Sequence, residues 1–218
     1  MAAESSAKVT REMFAQPDWL VQQTREQQAV APYLGLGFKK GRLEQDLHAR
    51  MLENVSRNAG LFRPERAIRE IQTTEPGIIP VLLHEDLEFN QAVCHALKPA
   101  HETWAGMQLK ESNCYGFRVY QRGCYLHNHV DRTQTHIISS TICVDYRLDK
   151  PWPLYIEDIE GNPHQVNMEP GEYVLYEGAK LVHGRPWALP GDYYIGMFVH
   201  YWPRAMGTAN ELHSRVRD

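Results

Sequence analysis

Between Phe117 and Trp202 the chain breaks into short β-branched and aromatic runs, and few folds accept that texture. The runs are Phe117–Tyr120, Thr135–Tyr146, Leu154–Asp158, Gln165–Met168, Tyr173–Tyr176, Leu181–His183 and Tyr193–Trp202. Turn-forming clusters separate several of them: Glu160-Gly-Asn-Pro163, Glu169-Pro-Gly171 and Leu189-Pro-Gly-Asp192. Runs this short, with turns this close, predict antiparallel strands. Helical patterns precede them, so the expected class is α+β, with helices packed on a sheet sandwich. A double-stranded β-helix, or jelly roll, fits the strand count.

The earlier part of the chain reads differently. Residues 1–32 are polar apart from Trp19, Leu20 and Val21, and predict one helix or a frayed arm. Tyr33–Phe38 is a Gly-punctuated linker or short strand. Leu43, Leu47, Met51, Leu52 and Val55 recur at helical spacing, which predicts a helix to about Arg57 with a cap at Asn58-Ala-Gly60. Pro64 is placed at the start of a second short helix through Ala67, Ile68 and Ile71, and Ile78–Leu83 is β-rich. Glu85 and Asp86 suit the N-terminus of a long helix carrying Phe89, Val93, Ala96, Leu97, Ala100 and Trp104. Pro99 predicts a kink or break near Lys98. The expected organisation is a mainly helical region over 1–110, a β core over 111–203 and a polar tail over 204–218.

Of the 218 residues, 43% are hydrophobic and 23% charged, enough for a packed core and unlike a disordered chain. A formal charge of −4 gives no general attraction to nucleic acid or anionic membrane, and neither is an expected partner. No apolar run approaches the roughly 18 residues of a membrane span. Met1–Lys8 lacks the apolar core of a signal peptide. Cys94, Cys114, Cys124 and Cys143 show no CxxC spacing, so buried free thiols and a cytoplasmic setting are expected.

The chemistry concentrates in Tyr120-Gln-Arg-Gly-Cys-Tyr-Leu-His-Asn-His-Val-Asp131. Alternate side chains of a strand share a face, so His129 and Asp131 can converge on one ion. His183 follows in Glu177-Gly-Ala-Lys-Leu-Val-His-Gly-Arg-Pro186. Two imidazoles and a carboxylate can occupy one face of an octahedral metal and leave three positions open, the pattern of non-haem Fe(II) oxygenases. The bland alternative for His129 and Asp131 is a surface hydrogen-bonded pair. His127 shares their face, and His127-x-His129 is itself a possible metal pair. His129 is favoured because His-x-Asp with a distant His supplies the carboxylate and three ligands.

Tyr120-x-x-Gly123-x-x-Leu126-x-x-His129-x-Asp131, Pro170-Gly171-Glu172-Tyr173 and His183-Gly-Arg185 resemble the prolyl 4-hydroxylase-like branch of the 2-oxoglutarate/Fe(II)-dependent dioxygenases. The resemblance covers roughly residues 112–202. It implies a double-stranded β-helix with Fe(II) on His129, Asp131 and His183 as the catalytic set. It further implies 2-oxoglutarate as cosubstrate with O2, ascorbate as an accessory reductant, and hydroxylation of an unactivated C–H bond with release of succinate and CO2. The implied substrate is a prolyl or other amino-acyl residue of a peptide, or a free amino acid or related small metabolite. A carboxylate at 131 favours hydroxylation over halogenation.

One departure concerns the 2-oxoglutarate C5 carboxylate. Enzymes of this type carry a Lys or Arg about 9–10 residues past the distal His, where this chain has Asp192-Tyr193-Tyr194. Arg185 is the expected substitute, because two residues past His183 it points into the same cavity and a guanidinium grips a carboxylate in two parallel bonds. An exposed Arg in a turn before Pro186 is the alternative. Tyr120 resembles the family's cosubstrate-contacting tyrosine, and Arg118, which shares its face, is a further candidate for binding the carboxylate of the cosubstrate or of the substrate. Ser139, Ser140, Thr141 and His136 are secondary candidates around the metal, and Trp152 and Trp187 candidate pocket walls. Two other readings stand beside the oxygenase: a non-catalytic β-helix binding module, and a cupin-type dioxygenase that needs no 2-oxoglutarate.

Overall fold

The computed structural model describes residues 37–65, 72–73, 81–132 and 135–204. Their elements are β1 (Phe38–Arg42), α1 (Gln45–Arg57), a 3-10 turn (Ala59–Leu61), β2 (Arg63–Pro64), β3 (Gln72–Thr73), β4 (Leu82–His84) and α2 (Leu87–Ala105). There follow β5 (Leu109–Gln121), β6 (Tyr125–His129), β7 (Ile138–Leu148), β8 (Leu154–Glu157), β9 (Pro163–Val166), β10 (Glu172–Tyr176), β11 (His183–Arg185) and β12 (Gly191–Pro203). A larger sheet runs β1-β10-β7-β12-β5-β4-β2 and a smaller one β3-β6-β11-β8-β9, with antiparallel neighbours throughout.

Strand alternation sorts the large sheet into two faces. Phe117, Ile142, Val144, Leu175, Ile195, Met197, Val199 and Tyr201 turn toward Leu47 and Met51 of α1 and Val93 and Leu97 of α2. Tyr120, Cys143, Val174, Tyr176 and Tyr194 turn the other way and pack with Leu154 and Ile156 of the small sheet. The result is a β-sandwich with helices on one outer face. The site described below lies in its interior.

Asp86 caps α2, its carboxylate accepting the Phe89 N–H at 3.1 Å, as its place before the apolar run predicts. The same carboxylate takes an N–H from Asn54 at 3.0 Å and so ties α1 to α2. Gly106, at φ +65°, closes the helix in the left-handed region.

Three local expectations fail. The helix α2 runs unbroken through Pro99, its packed face holding the turn together where the ring removes a backbone donor. Pro64 lies in β2, paired with Leu82 of β4, rather than opening a helix; as the end of an edge strand it gives up no ladder bond. Leu52, placed on the apolar stripe of α1, is 38% exposed. The predicted arm over 1–32, Tyr33–Leu36, the segment Ala67–Ile71, Ile78–Pro80 and the tail beyond Arg204 lie outside the described residues. The four cysteines are free thiols, three of them buried. Among the described residues no helix is long and apolar enough to cross a membrane.

Candidate metal and cosubstrate site

His129 ends β6 and His183 begins β11, and the two are register partners in the small sheet. Asp131 follows just beyond β6, where its N–H donates to the Gly178 carbonyl at 2.8 Å. Pairing two strand ends thus brings together residues far apart in sequence. The Nε2 atoms of His129 and His183 each stand 3.7 Å from Asp131 Oδ1, and the three ligand atoms lie within 4.8 Å of one another.

The backbone selects the tautomer of both rings. His129 Nδ1 bonds the His127 carbonyl at 2.7 Å and His183 Nδ1 bonds the Leu181 carbonyl at 2.8 Å. A carbonyl only accepts, so each Nδ1 carries the proton and each Nε2 presents a lone pair toward Asp131. Burial holds both imidazoles neutral, lowering each pKa to about 4; for His129 the adjacent His183 adds to the effect. Two neutral imidazoles and one carboxylate suit a divalent cation, and this donor set without sulfur fits iron.

The carboxylate is held from behind. The Tyr176 hydroxyl hydrogen-bonds Asp131, and its ring packs 4.6 Å from that of His183. A Cβ at Gly178 would come 2.3 Å from Asp131 Oδ2 and 2.6 Å from Ser139 Oγ, so the absence of a side chain there makes room for the pair. His127, the rival ligand, is half-buried, packs edge-on against Tyr125 and serves His129 through its carbonyl.

Arg185 is buried at 4% exposure, which discards the exposed-turn alternative. Its guanidinium lies 4.6 Å from the Trp152 ring centre and 4.3 Å from that of Tyr194. It donates to the Trp152 carbonyl, and to the Tyr194 hydroxyl at 2.8 Å. Among the described residues no carboxylate pairs with it. Tyr120 is opposite Tyr194 in register, edge-on to Trp152. Its hydroxyl is buried and meets no partner at full hydrogen-bond geometry, although Arg118 lies near enough to favour the phenolate against burial. Arg118 itself forms a two-toothed pair with Glu65, at 2.8 Å from Nε and 2.7 Å from Nη2. Trp152 is a buried wall of the Arg185 side, while Trp187 packs against the outer cluster of Val130, Tyr155 and Val182 as well.

A second wall had little sequence signal. Two residues of β5, Tyr115 and Gly116, stand against Phe198 alone, since β5 takes three steps from Phe117 to Cys114 where β12 takes two. Gly116, at φ +86°, makes this bulge; a Cβ there would meet the His84 carbonyl at 2.2 Å. The Tyr115 hydroxyl reaches His136 Nε2 at 3.1 Å, the His136 and His200 rings lie 3.7 Å apart, and His200 Nδ1 bonds Ser139 Oγ at 2.8 Å. Burial pulls both imidazoles toward the neutral form, His200 strongly. Tyr115, Glu65 and Tyr176 carry no motif, while His200 follows Tyr194 and Phe198 at period two along β12.

No protein-family model matches the chain, and no curated protein sequence matches it significantly. Solved structures do. A Pseudomonas putida prolyl-4-hydroxylase superposes with a TM-score of 0.58 at 16% identity, over 84% of this chain and 99% of its own. A prolyl hydroxylase from Trichoplax adhaerens, in complex with a hypoxia inducible factor oxygen degradation domain peptide fragment, gives 0.57 at 11% identity over 89% and 98%. HygX from Streptomyces hygroscopicus, with nickel, 2-oxoglutarate and hygromycin B bound, gives 0.53 at 13% identity over 90% and 88%. The chain therefore has the fold of the 2-oxoglutarate/Fe(II) oxygenases, prolyl hydroxylases among them.

Proposed function

We propose that this protein is a 2-oxoglutarate- and Fe(II)-dependent dioxygenase that hydroxylates an unactivated C–H bond, and that its sandwich is a double-stranded β-helix. One O2 is consumed: one oxygen atom enters the substrate as hydroxyl, the other enters succinate, and CO2 leaves. The observation that carries this reading is the convergence of two tautomer-locked Nε2 atoms on Asp131 Oδ1. His129, Asp131 and His183 hold the iron, which when bound supplies the oxygen chemistry.

Arg185 is the anchor for the 2-oxoglutarate C5 carboxylate. A buried guanidinium without a counter-ion is costly, and a carboxylate ligand offsets that cost with charge-assisted bonds. Tyr120 completes the cosubstrate wall by offering its buried hydroxyl. Arg118, already neutralised by Glu65, faces the substrate instead. The nickel- and 2-oxoglutarate-bound HygX structure, of the same fold, supports a cosubstrate in this interior.

Oxygen uptake and succinate formation, measured with and without 2-oxoglutarate, test the reading. Uptake that requires 2-oxoglutarate and yields succinate is the expected result. Uptake without it would make the protein a cupin-type dioxygenase, and no uptake with iron bound would make it a binding module.

A further inference from the structure

We propose that Cys94 and Cys114 form a redox modification site, a dithiol pair that hydrogen peroxide closes reversibly into a disulfide. The inference does not depend on the oxygenase reading above.

The packing of α2 on β5 brings the two thiols together. Asn90 and Cys94 stand one turn apart on α2 and both lie against the backbone of β5. Asn90 Nδ2 donates to the Cys114 carbonyl at 3.2 Å, and the Cys94 thiol reaches the Asn113 carbonyl at 3.9 Å. Cys94 belongs to the core between the helices and the large sheet, and Cys114 packs against that core, so both side chains enter one interface. There the two thiols hydrogen-bond each other.

The pair is asymmetric. Cys94 is buried and Cys114 half-buried, so Cys114 is the thiol that a small oxidant reaches. The Cys94 S–H and the Gly116 N–H donate to the Cys114 sulfur and hold its pKa below the ordinary thiol value, against the effect of burial. Cys94, on the donating side, is pushed up and kept as the thiol. A reachable thiol of lowered pKa beside a second cysteine is the arrangement of a peroxide-sensitive pair. Cys124 and Cys143 are both buried, and burial raises both.

The chemistry balances with one peroxide. The Cys114 thiolate attacks a peroxide oxygen, the O–O bond breaks, hydroxide leaves and the sulfur becomes a sulfenic acid. The Cys94 sulfur then attacks Cys114, the S–O bond breaks, and the displaced hydroxide takes the Cys94 proton and leaves as water. The two thiols lose two electrons and two protons, and the peroxide is reduced to two waters.

The sulfurs must close from hydrogen-bond contact to about 2 Å. Cys94 is tethered, because its carbonyl accepts the Tyr201 hydroxyl at 2.6 Å. Cys114 borders the bulge, where the ladder of β5 on β12 is already interrupted, so the movement falls there. Tyr115, the next residue, bonds His136 at 3.1 Å, and closing the bridge therefore pulls on the wall beside the metal ligands.

The test treats the full chain, with one equivalent of zinc in place of iron, with hydrogen peroxide and maps the cysteines by peptide mass spectrometry. A peptide pair joining Cys94 to Cys114 should appear, lighter by two hydrogens and restored by dithiothreitol, while Cys124 and Cys143 stay reduced. Before oxidation, iodoacetamide should label Cys114 at least about tenfold faster than Cys124 or Cys143, the effect of one pKa unit or more. In Cys94→Ser the sulfenic acid should persist on Cys114 and be trapped by dimedone. Cys114→Ser, at the half-buried position, should leave Cys94 unoxidised. In the wild type the His136 imidazole resonances, assigned by their loss in His136→Gln, should shift on oxidation and return on reduction. Peroxide that leaves both thiols free, or that carries Cys114 to the sulfinic acid with no link to Cys94, would overturn the inference, as would Cys94 oxidised equally in Cys114→Ser. A link that forms while the His136 resonances stay fixed would overturn its tie to the wall.

Discussion

Arg185 donates to the Tyr194 hydroxyl at 2.8 Å, and so the cation two residues past His183 is clamped by a residue near the place where related oxygenases carry their own. On the proposed reading the two positions exchange duties, β12 supplying a neutral aromatic clamp and β11 the charge. Trp152 completes the clamp from the other side.

Replacing Arg185 by Lys keeps the charge and loses both the planar stacking and the fork. The KM for 2-oxoglutarate should rise by about tenfold or more, with a smaller change in kcat. Steady-state kinetics with varied 2-oxoglutarate checks this, alongside the melting temperature to account for lost packing. An unchanged KM in the folded variant would remove Arg185 from the cosubstrate site.

Gly178→Ala places a methyl group 2.3 Å from Asp131 Oδ2. The Asp131 carboxylate must move, and the Ser139 hydroxyl beside it must give as well. Iron affinity should fall by about tenfold to a hundredfold, the range seen when groups supporting metal ligands are altered. Calorimetric titration of the apo-protein with Fe(II) under nitrogen measures it, and affinity equal to the wild type would show that Asp131 has slack that the packing does not suggest.

His101 contributes a pH-dependent stability away from the site. It is fully buried in α2, its Nδ1 on the Leu97 carbonyl at 2.8 Å and its ring 4.3 Å from that of Tyr201. Burial lowers its pKa from the ordinary 6.5 to about 4. Between those values the unfolded chain binds a proton that the folded chain does not, so stability falls as the pH drops from 6.5 toward 4. The contribution is complete above 6.5 and its loss is complete below 4, roughly 3 kcal/mol in all. His129 and His183 titrate in the same sense, so the measurement is a difference: urea unfolding of His101→Leu should show a shallower acid slope than the wild type. Parallel slopes would contradict the assignment.

The triad was legible because its chemistry is local. Period-two alternation puts His129 and Asp131 on one side, and few residue sets other than two His and a carboxylate suit an open iron site. The inward placement of Arg185 was legible for the same reason, as the next same-face residue after His183. The partners of these groups were not. Glu65 meets Arg118 across 53 residues of sequence, and only the pairing of β4 with β5 and β2 brings it there. Tyr115 faces inward because of a bulge at Tyr115–Gly116 that shifts β5 against β12, which alternation along β5 alone cannot place. The continuous α2 shows the converse, a tertiary face overriding the local signal of Pro99.

The most direct test of the central claim is succinate formation from 2-oxoglutarate by His129→Ala, Asp131→Ala and His183→Ala, each verified as folded by circular dichroism. The account predicts that all three lose it while the wild type retains it; near-normal succinate from any one of them would contradict the iron-binding set.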